Sequence, residues 1–336
     1  MKKASLILVL IFVFSFISTA GAKPSLITLT EDKILVNKKP YNIKGVAYSL
    51  TYPKCNHFTQ IPMAVYEKDF KLMKAAGINT IRTYSTPPDF IFDLAEKYNI
   101  MLIVQVVYVG GWTRFDSEEE KKALIENAVE NVKAHKHRKN VLMWAIWNDV
   151  PFVYDSNPKN VIEEYGFNTI HDFLKDIYKA VKKEDPDHPV TGSNMLNFPG
   201  SNLGFKFLDV IGFNCYFGIT PAGWFSGKFD VTTAQDTVKQ IKNLTGHLKK
   251  PVVILETGYS TYATEWKQDK AITEQLKVTD NKFAGVVIFQ WADDWSKKGT
   301  PDKQDKYIEE HWGITDGYRK VKAGYIAVKK FWRNKK

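Results

Sequence analysis

Two apolar runs in this 336-residue chain end abruptly in a carboxylate. Val141-Leu-Met-Trp-Ala-Ile-Trp147 leads into Asn148 and Asp149, and Val252-Val-Ile-Leu255 leads into Glu256. A strand buried on both faces reads as an unbroken apolar stretch, so only its end can present a charged group to a cleft. Two acids presented in this way suit glycosidic bond cleavage. One carboxylate attacks or stabilises the anomeric carbon, while the other carboxyl protonates the leaving oxygen.

The elements that must position these acids recur along the chain. Strand-like apolar runs occur at Ile43–Tyr48, Ile78–Tyr84, Met101–Tyr108, Val141–Trp147, Pro189–Met195, Val210–Tyr216, Pro251–Leu255 and Ala284–Trp291. Amphipathic segments with helical spacing separate most of them: Val65–Ala76, Asp89–Tyr98, Glu118–Ala134, Val161–Lys183, Thr232–Leu248 and Glu265–Thr279, with Val321–Arg333 closing the chain. The connection between the fifth and sixth runs has little helical pattern. Eight strands alternating with helices predict a parallel sheet closed into a (β/α)8 TIM barrel, within a single domain over residues 23–336. An open doubly wound sheet is the alternative. It usually carries a Gly-rich phosphate turn after the first strand, and Gly45-Val-Ala-Tyr48 is not one. Upstream, Ile27–Tyr41 alternates around the turn Asn37-Lys-Lys-Pro40, which predicts a short N-terminal β-hairpin capping the domain entrance.

The first residues have a different character. Lys2-Lys3, an uncharged apolar run from Leu6 to Ile17 and the small residues up to Ala22 predict a cleavable signal peptide over residues 1–22. The apolar run falls short of the ~20 residues that a membrane span needs. The expected mature chain is secreted, or lies in the periplasm or cell envelope, with no stable membrane span. Its charge is basic, +10 for the whole sequence and two less without Lys2 and Lys3. No nucleic-acid recognition motif accompanies that charge, so nucleic acid is excluded as a partner and a solvated basic surface is expected. Cys55 and Cys215 are the only cysteines, and their spacing forms no metal motif.

Chemistry in such a barrel sits at the C-terminal strand ends. These ends carry Tyr48, Arg82 and Tyr84, Gln105 to Tyr108, Trp147-Asn148-Asp149, Ser193-Asn194, Asn214 and Tyr216, Glu256, and Gln290-Trp291. Acids, an arginine, amides and aromatic rings on one face suit sugar binding, because apolar ring faces stack while polar edges take hydrogen bonds. The expected ligand is an oligosaccharide or polysaccharide substrate, with Tyr48 among the binding residues.

The segments Asn42-Ile-Lys-Gly-Val46, Ala76-Gly-Ile-Asn-Thr-Ile-Arg-Thr-Tyr84, Val141–Asn148 and Pro251-Val-Val-Ile-Leu-Glu-Thr-Gly-Tyr259 resemble a large clan of retaining glycoside hydrolases. So do Phe289-Gln-Trp-Ala-Asp-Asp-Trp295 and His311-Trp-Gly-Ile314. The likeness is strongest to the barrel domain of the family 2 enzymes and to β-1,3-glucanosyltransferase-like barrels, and it spans about residues 35–332. It implies a (β/α)8 barrel with its acid/base and nucleophile on the fourth and seventh strands, acting by double displacement on a β-linked glucan or related oligosaccharide. It further implies Glu256 as nucleophile, Asn148 as holder of the sugar 2-hydroxyl, and Arg82 and Tyr216 beside Glu256, keeping it ionised and aimed. Trp291 would form the floor of the subsite, and no metal or cofactor is required. Trp112, Trp147 or Trp224 would contribute acceptor sites for transglycosylation.

Asp149 departs from the clan, which has Glu after that asparagine. One methylene less draws the carboxyl back by on the order of 1 Å, and misplacement of that size can cost ~10²-fold in rate. Three outcomes stay open. The backbone brings Asp149 to the leaving oxygen, a loop carboxylate such as Asp155 or Asp293 takes over, or the protein is a carbohydrate-binding pseudoenzyme.

Overall fold

The computed structural model describes residues 24–55, 57–110, 112–150, 161–198, 200–219, 229–262, 267–295, 297 and 304–333. The expected signal peptide, Asp155 and Trp224 lie outside them. Among the described residues no helix is long and apolar enough to cross a membrane.

Where a hairpin was expected, three short strands form an antiparallel sheet: β1 (Ile27–Leu29), β2 (Ile34–Val36) and β3 (Lys39–Tyr41). Asn37 and Lys38 both have positive φ, 52° and 65°, the two-residue turn geometry whose twist matches that of paired strands. The sheet covers the N-terminal mouth of the barrel. Ile27 and Ile34 pack with Ile43, Met101, Val210 and Val253, and the Tyr41 hydroxyl donates to the Asn79 carbonyl at 2.7 Å.

The barrel closes from eight parallel strands: β4 (Ile43–Ala47), β5 (Thr80–Arg82), β6 (Met101–Gln105), β7 (Val141–Asn148), β8 (Val190–Met195), β9 (Val210–Asn214), β10 (Val252–Thr257) and β11 (Gly285–Ile288). Alternation sorts their side chains into two cores. Met101, Ile103, Met143, Ala145, Val253 and Leu255 share a core with the N-terminal sheet in the lumen. Leu102, Val104, Trp144 and Ile254 point outward to helix residues such as Phe70, Met73, Phe92 and Leu174.

The helices are α1 (Met63–Ala76), α2 (Asp89–Tyr98), α3 (Glu118–His135), α4 (Val161–Tyr165), α5 (Phe167–Glu184), α6 (Val231–Thr245), α7 (Gln268–Thr279) and α8 (Ala323–Arg333). The single helix expected over 161–183 is two, because Gly166 adopts φ 82° and interrupts the ladder. Between β8 and β9 the described residues form turns, in line with the weak pattern there.

The two strands that carry the acids break their alternation just before delivering them. In β7 the pairing with β8 shifts register between Ala145 and Asn148, and Ile146 and Trp147 both join the outer core. The Trp147 indole lies so close to Gly192 that a Cβ there would fall 2.2 Å from the ring. In β10 the pairing with β9 shifts between Ile254 and Glu256. Strict alternation from the inward Ala145 and Leu255 would send Asn148 and Glu256 out toward the helices. These bulge-like irregularities turn both into the mouth, a use of bulges that recurs next to active sites.

Candidate active site

Glu256 sits at the mouth, 6% exposed, and three side chains donate to it. Arg82 Nη1 reaches Oε1 at 2.9 Å, the Tyr84 hydroxyl reaches the same oxygen at 2.8 Å, and the Tyr216 hydroxyl reaches Oε2 at 2.9 Å. Arg82 and Tyr84 are two residues apart at the end of β5, so strand periodicity points both the same way. Burial, followed by the Glu256 charge, pushes both phenols well above their usual range, which keeps them protonated as donors. The fully buried guanidinium spreads its remaining bonds across the mouth. Nη1 also donates to the Leu255 carbonyl at 2.8 Å and to Asn214 Oδ1 at 3.1 Å, and Nη2 donates to Asn148 Oδ1 at 2.5 Å.

Asp149 lies in the same network. Its backbone has φ 46°, in the left-handed region that few non-glycine residues occupy, and its N–H donates to the Ser193 carbonyl at 3.0 Å. Asn214 Nδ2 donates to Oδ2 at 2.6 Å and Asn148 Nδ2 to the same oxygen at 3.1 Å. The other oxygen, Oδ1, is buried with no hydrogen-bond partner among the described residues. Burial pushes this carboxyl up and the Glu256 charge pushes it further, against Arg82 and the two amides, to about 8. Burial and the neighbouring Glu256 thus favour the protonated form of Asp149, which has one oxygen spare for the proton. Environments that hold two neighbouring acids differently are what an acid and nucleophile pair requires.

The remaining residues singled out in the sequence fall into two groups. Asn148, Arg82 and Tyr216 join the network as described. Trp291 belongs to a buried layer behind it, and Tyr48 joins that layer while also lining a cleft at the mouth. The Tyr48 hydroxyl donates to Asp69 Oδ2 at 2.9 Å, and Asp69 is paired with Arg319 at 3.0 Å. The Trp291 ring is 1% exposed and meets Tyr325 of α8 edge to face. The aromatic ring that neighbours Tyr84 and Tyr216 is Phe289, with centroids 6.3 Å from each. Asp293 is tied to Lys322 Nζ at 2.8 Å and to the Gly313 N–H at 2.9 Å. Trp147 is buried and donates to Asn194, whereas Trp112 is 55% exposed. Cys55 and Cys215 are not joined. Tyr84 and Asn214 were legible as strand ends, but their partners Glu256 and Asp149 come from distant strands and only the closed barrel reveals those pairings.

A closed parallel barrel that gathers two buried carboxyls in one hydrogen-bonded network over its C-terminal mouth defines a barrel of the glycosidase type. The chain belongs to the glycosyl hydrolases family 2, TIM barrel domain, whose model matches residues 27–314. Among solved structures it is similar to a β-glucuronidase from Ruminococcus gnavus in complex with D-glucuronic acid, with TM-score 0.74 and 19% identity, covering 92% of this chain and 52% of that one. It is also similar to a GH2 β-galacturonidase from Eisenbergiella tayi bound to galacturonate, with TM-score 0.70 and 19% identity, covering 92% and 54%. The chain therefore spans about half the length of these structures. No curated protein matches it.

Proposed function

We propose that this protein is a retaining glycoside hydrolase or transglycosylase acting on a β-linked glucan or related oligosaccharide outside the cytoplasm. The observation that carries this reading is the buried Asp149, whose Oδ1 has no hydrogen-bond partner among the described residues, in one hydrogen-bonded network with Glu256 through Asn214, Asn148 and Arg82. In the first step Glu256 attacks the anomeric carbon while Asp149 gives its proton to the leaving oxygen. A glycosyl ester on Glu256 and an ionised Asp149 result. In the second step Asp149 takes a proton from water or a sugar hydroxyl, which attacks the anomeric carbon and releases Glu256. The choice between water and sugar decides hydrolysis or transfer.

Supporting groups follow from the geometry. Arg82, Tyr84 and Tyr216 fix the Glu256 carboxylate before substrate arrives, which is preorganisation rather than rearrangement. Asn148 uses one amide hydrogen on Asp149, and its second is the donor or contact point for the sugar 2-hydroxyl. The left-handed backbone of Asp149 and the register shift before it are how a shorter acid is carried toward the leaving oxygen.

The test is intact-protein mass after incubation with 2-deoxy-2-fluoro glycosides of several sugars bearing a good leaving group. A stable adduct on Glu256, absent in Glu256→Gln, supports retaining chemistry and names the sugar. No adduct with any donor, alongside measurable oligosaccharide binding, sinks the enzyme reading in favour of a sugar-binding protein. Export is tested separately: the mature chain should begin at Lys23.

A further inference from the structure

A cleft of about 490 Å³ opens at the C-terminal face and includes Tyr84, whose hydroxyl holds Glu256. Its walls come from the segments after β4, β5 and β11. A second cavity, about 500 Å³, lies between the starts of β4 and β11 and the helices α7 and α8, away from the acids. Strand order fixes where the first cleft stands relative to Asp149. In the closed ring, β11 is four strands from β7 in either direction, so the cleft lies across the mouth from the proton donor. The acid stands on the leaving-group side of the scissile bond. The opposite side is therefore that of the sugar retained on Glu256.

The lining has the chemistry of a sugar site. Phe58 and Trp295 are half-buried, and each ring is held by another: Phe58 against Phe90 at 6.4 Å, Trp295 against Tyr318 at 5.6 Å. Between them, Ser49 and Thr51 donate inward to Gln290 Oε1 and Asp294 Oδ1, at 3.4 and 3.3 Å, which leaves their oxygen lone pairs as acceptors for other hydroxyls. No Asp, Glu, Lys or Arg is among the described residues that line the cleft. A uronic acid carboxylate would find no cation among these described lining residues, the nearby Lys297 being engaged by Asp294 at 3.4 Å, and burying an unpaired charge is costly.

Resting on the glycosidase reading above, we propose that this cleft is a second glycone-side subsite for an uncharged sugar, so that the substrate is a neutral chain with at least two units on the retained side. Trp295 and Phe58 are its stacking platforms. They are specificity residues and touch no reacting atom.

The experiment compares aryl β-disaccharides with aryl β-monosaccharides of the same neutral sugar. In the wild-type protein kcat/KM for the disaccharide should exceed that for the monosaccharide by about 10-fold or more, the scale of one aromatic contact. Trp295→Ala should bring that ratio toward one, and Trp295→Phe should restore part of it. A wild-type ratio near one, or a preference for aryl uronides, overturns the proposal while leaving Glu256 as nucleophile intact. If no donor turns over, calorimetric titration of Glu256→Gln with neutral β-linked oligosaccharides of increasing length still decides. A gain in affinity from one to two units that Trp295→Ala abolishes upholds the subsite even as the enzyme reading fails, and a flat series refutes it.

Discussion

Strand β7 joins two buried aspartates in opposite states. Near its start, the Trp144 indole donates to Asp185 Oδ2 at 2.8 Å. At its end the chain runs directly into Asp149. Both are almost inaccessible, at 3% and 7% exposure. Asp185 Oδ2 also lies 2.7 Å from His188 Nδ1, and its Oδ1 accepts from the backbone N–H groups of Asp187 and His188. Burial pushes Asp185 up, but the His188 contacts and the indole outweigh it and bring the carboxyl down to about 2. In Asp149 burial and then the nearby Glu256 outweigh two amide donors on one oxygen, the other having none among the described residues, and the carboxyl rises to about 8. Burial alone sets neither state. Donors saturate the aspartate that caps α5, whereas the site leaves its aspartate short of donors and close to a second negative charge.

The sharpest way to break this contrast is to remove the second charge. Glu256→Gln should lower turnover by roughly 10⁴–10⁶-fold, the scale for a lost nucleophile. It should also lower the Asp149 pKa without returning it to the ordinary range, since burial, the largest cause, remains. Carboxyl NMR titration of Asp149 measures this. An unchanged pKa would mean that Glu256 does not act on Asp149.

Asp149→Asn comes next. Loss of a general acid should cost ~10²–10⁴-fold on substrates with poor leaving groups, and far less on aryl glycosides of acidic phenols. A uniform loss on both would argue that Asp149 is structural. In the wild-type protein the first step needs the protonated form, so kcat/KM should fall as pH rises through about 8. The same shift affects stability. A carboxyl raised in the folded state contributes stability that is complete below its ordinary pKa, drains away as pH rises, and is lost above about 8. Asp149→Asn should therefore gain in melting temperature relative to wild type between about pH 4 and pH 8. Tyr84→Phe removes one hydrogen bond to a charged oxygen and should cost about 10–100-fold, read as kcat/KM with the fold intact.

How far these features were legible beforehand depends on which physical rule wrote them. Eight buried strands alternating with amphipathic helices follow from periodicity, so the barrel and the strand ends carrying both acids could be read along the chain. The break at Gly166 and the turn between Thr30 and Lys33 that separates β1 from β2 depend on local backbone geometry, and patterning smoothed over both. Side-chain direction at the site was harder. A strict period of two turns Glu256 and Asn148 outward, and only the register shifts in β7 and β10 aim them inward. Trp291 illustrates the same limit: as a strand-end aromatic it suggested a platform, yet its ring packs behind the mouth on α8 while Phe289 faces the tyrosines. The raised pKa of Asp149 was illegible altogether, since it comes from burial and from the Glu256 charge, both of which only the closed barrel brings to it.

The smallest effect on catalysis is expected at the other end of β7, and there the contrast can be tested from the stability side. Asp185→Asn keeps the shape but withdraws the anion from the Trp144 indole, from His188 and from two backbone N–H groups at the end of α5. Weakening a buried hydrogen-bonded group of this kind costs about 1–3 kcal/mol. The sign of the pH dependence is opposite to that at Asp149. A carboxyl lowered in the folded state contributes stability that is present above its ordinary pKa and is lost as pH falls through about 2. Wild type and Asp185→Asn should therefore differ most in melting temperature near neutrality and converge below about pH 4, while kcat/KM changes little. A difference that persists undiminished from about pH 4 down through pH 2 would mean that Asp185 acts through packing and not through its charge. A large loss of activity without loss of stability would mean that the two ends of β7 are coupled, and the division between a saturated structural acid and an unsaturated chemical one would fail.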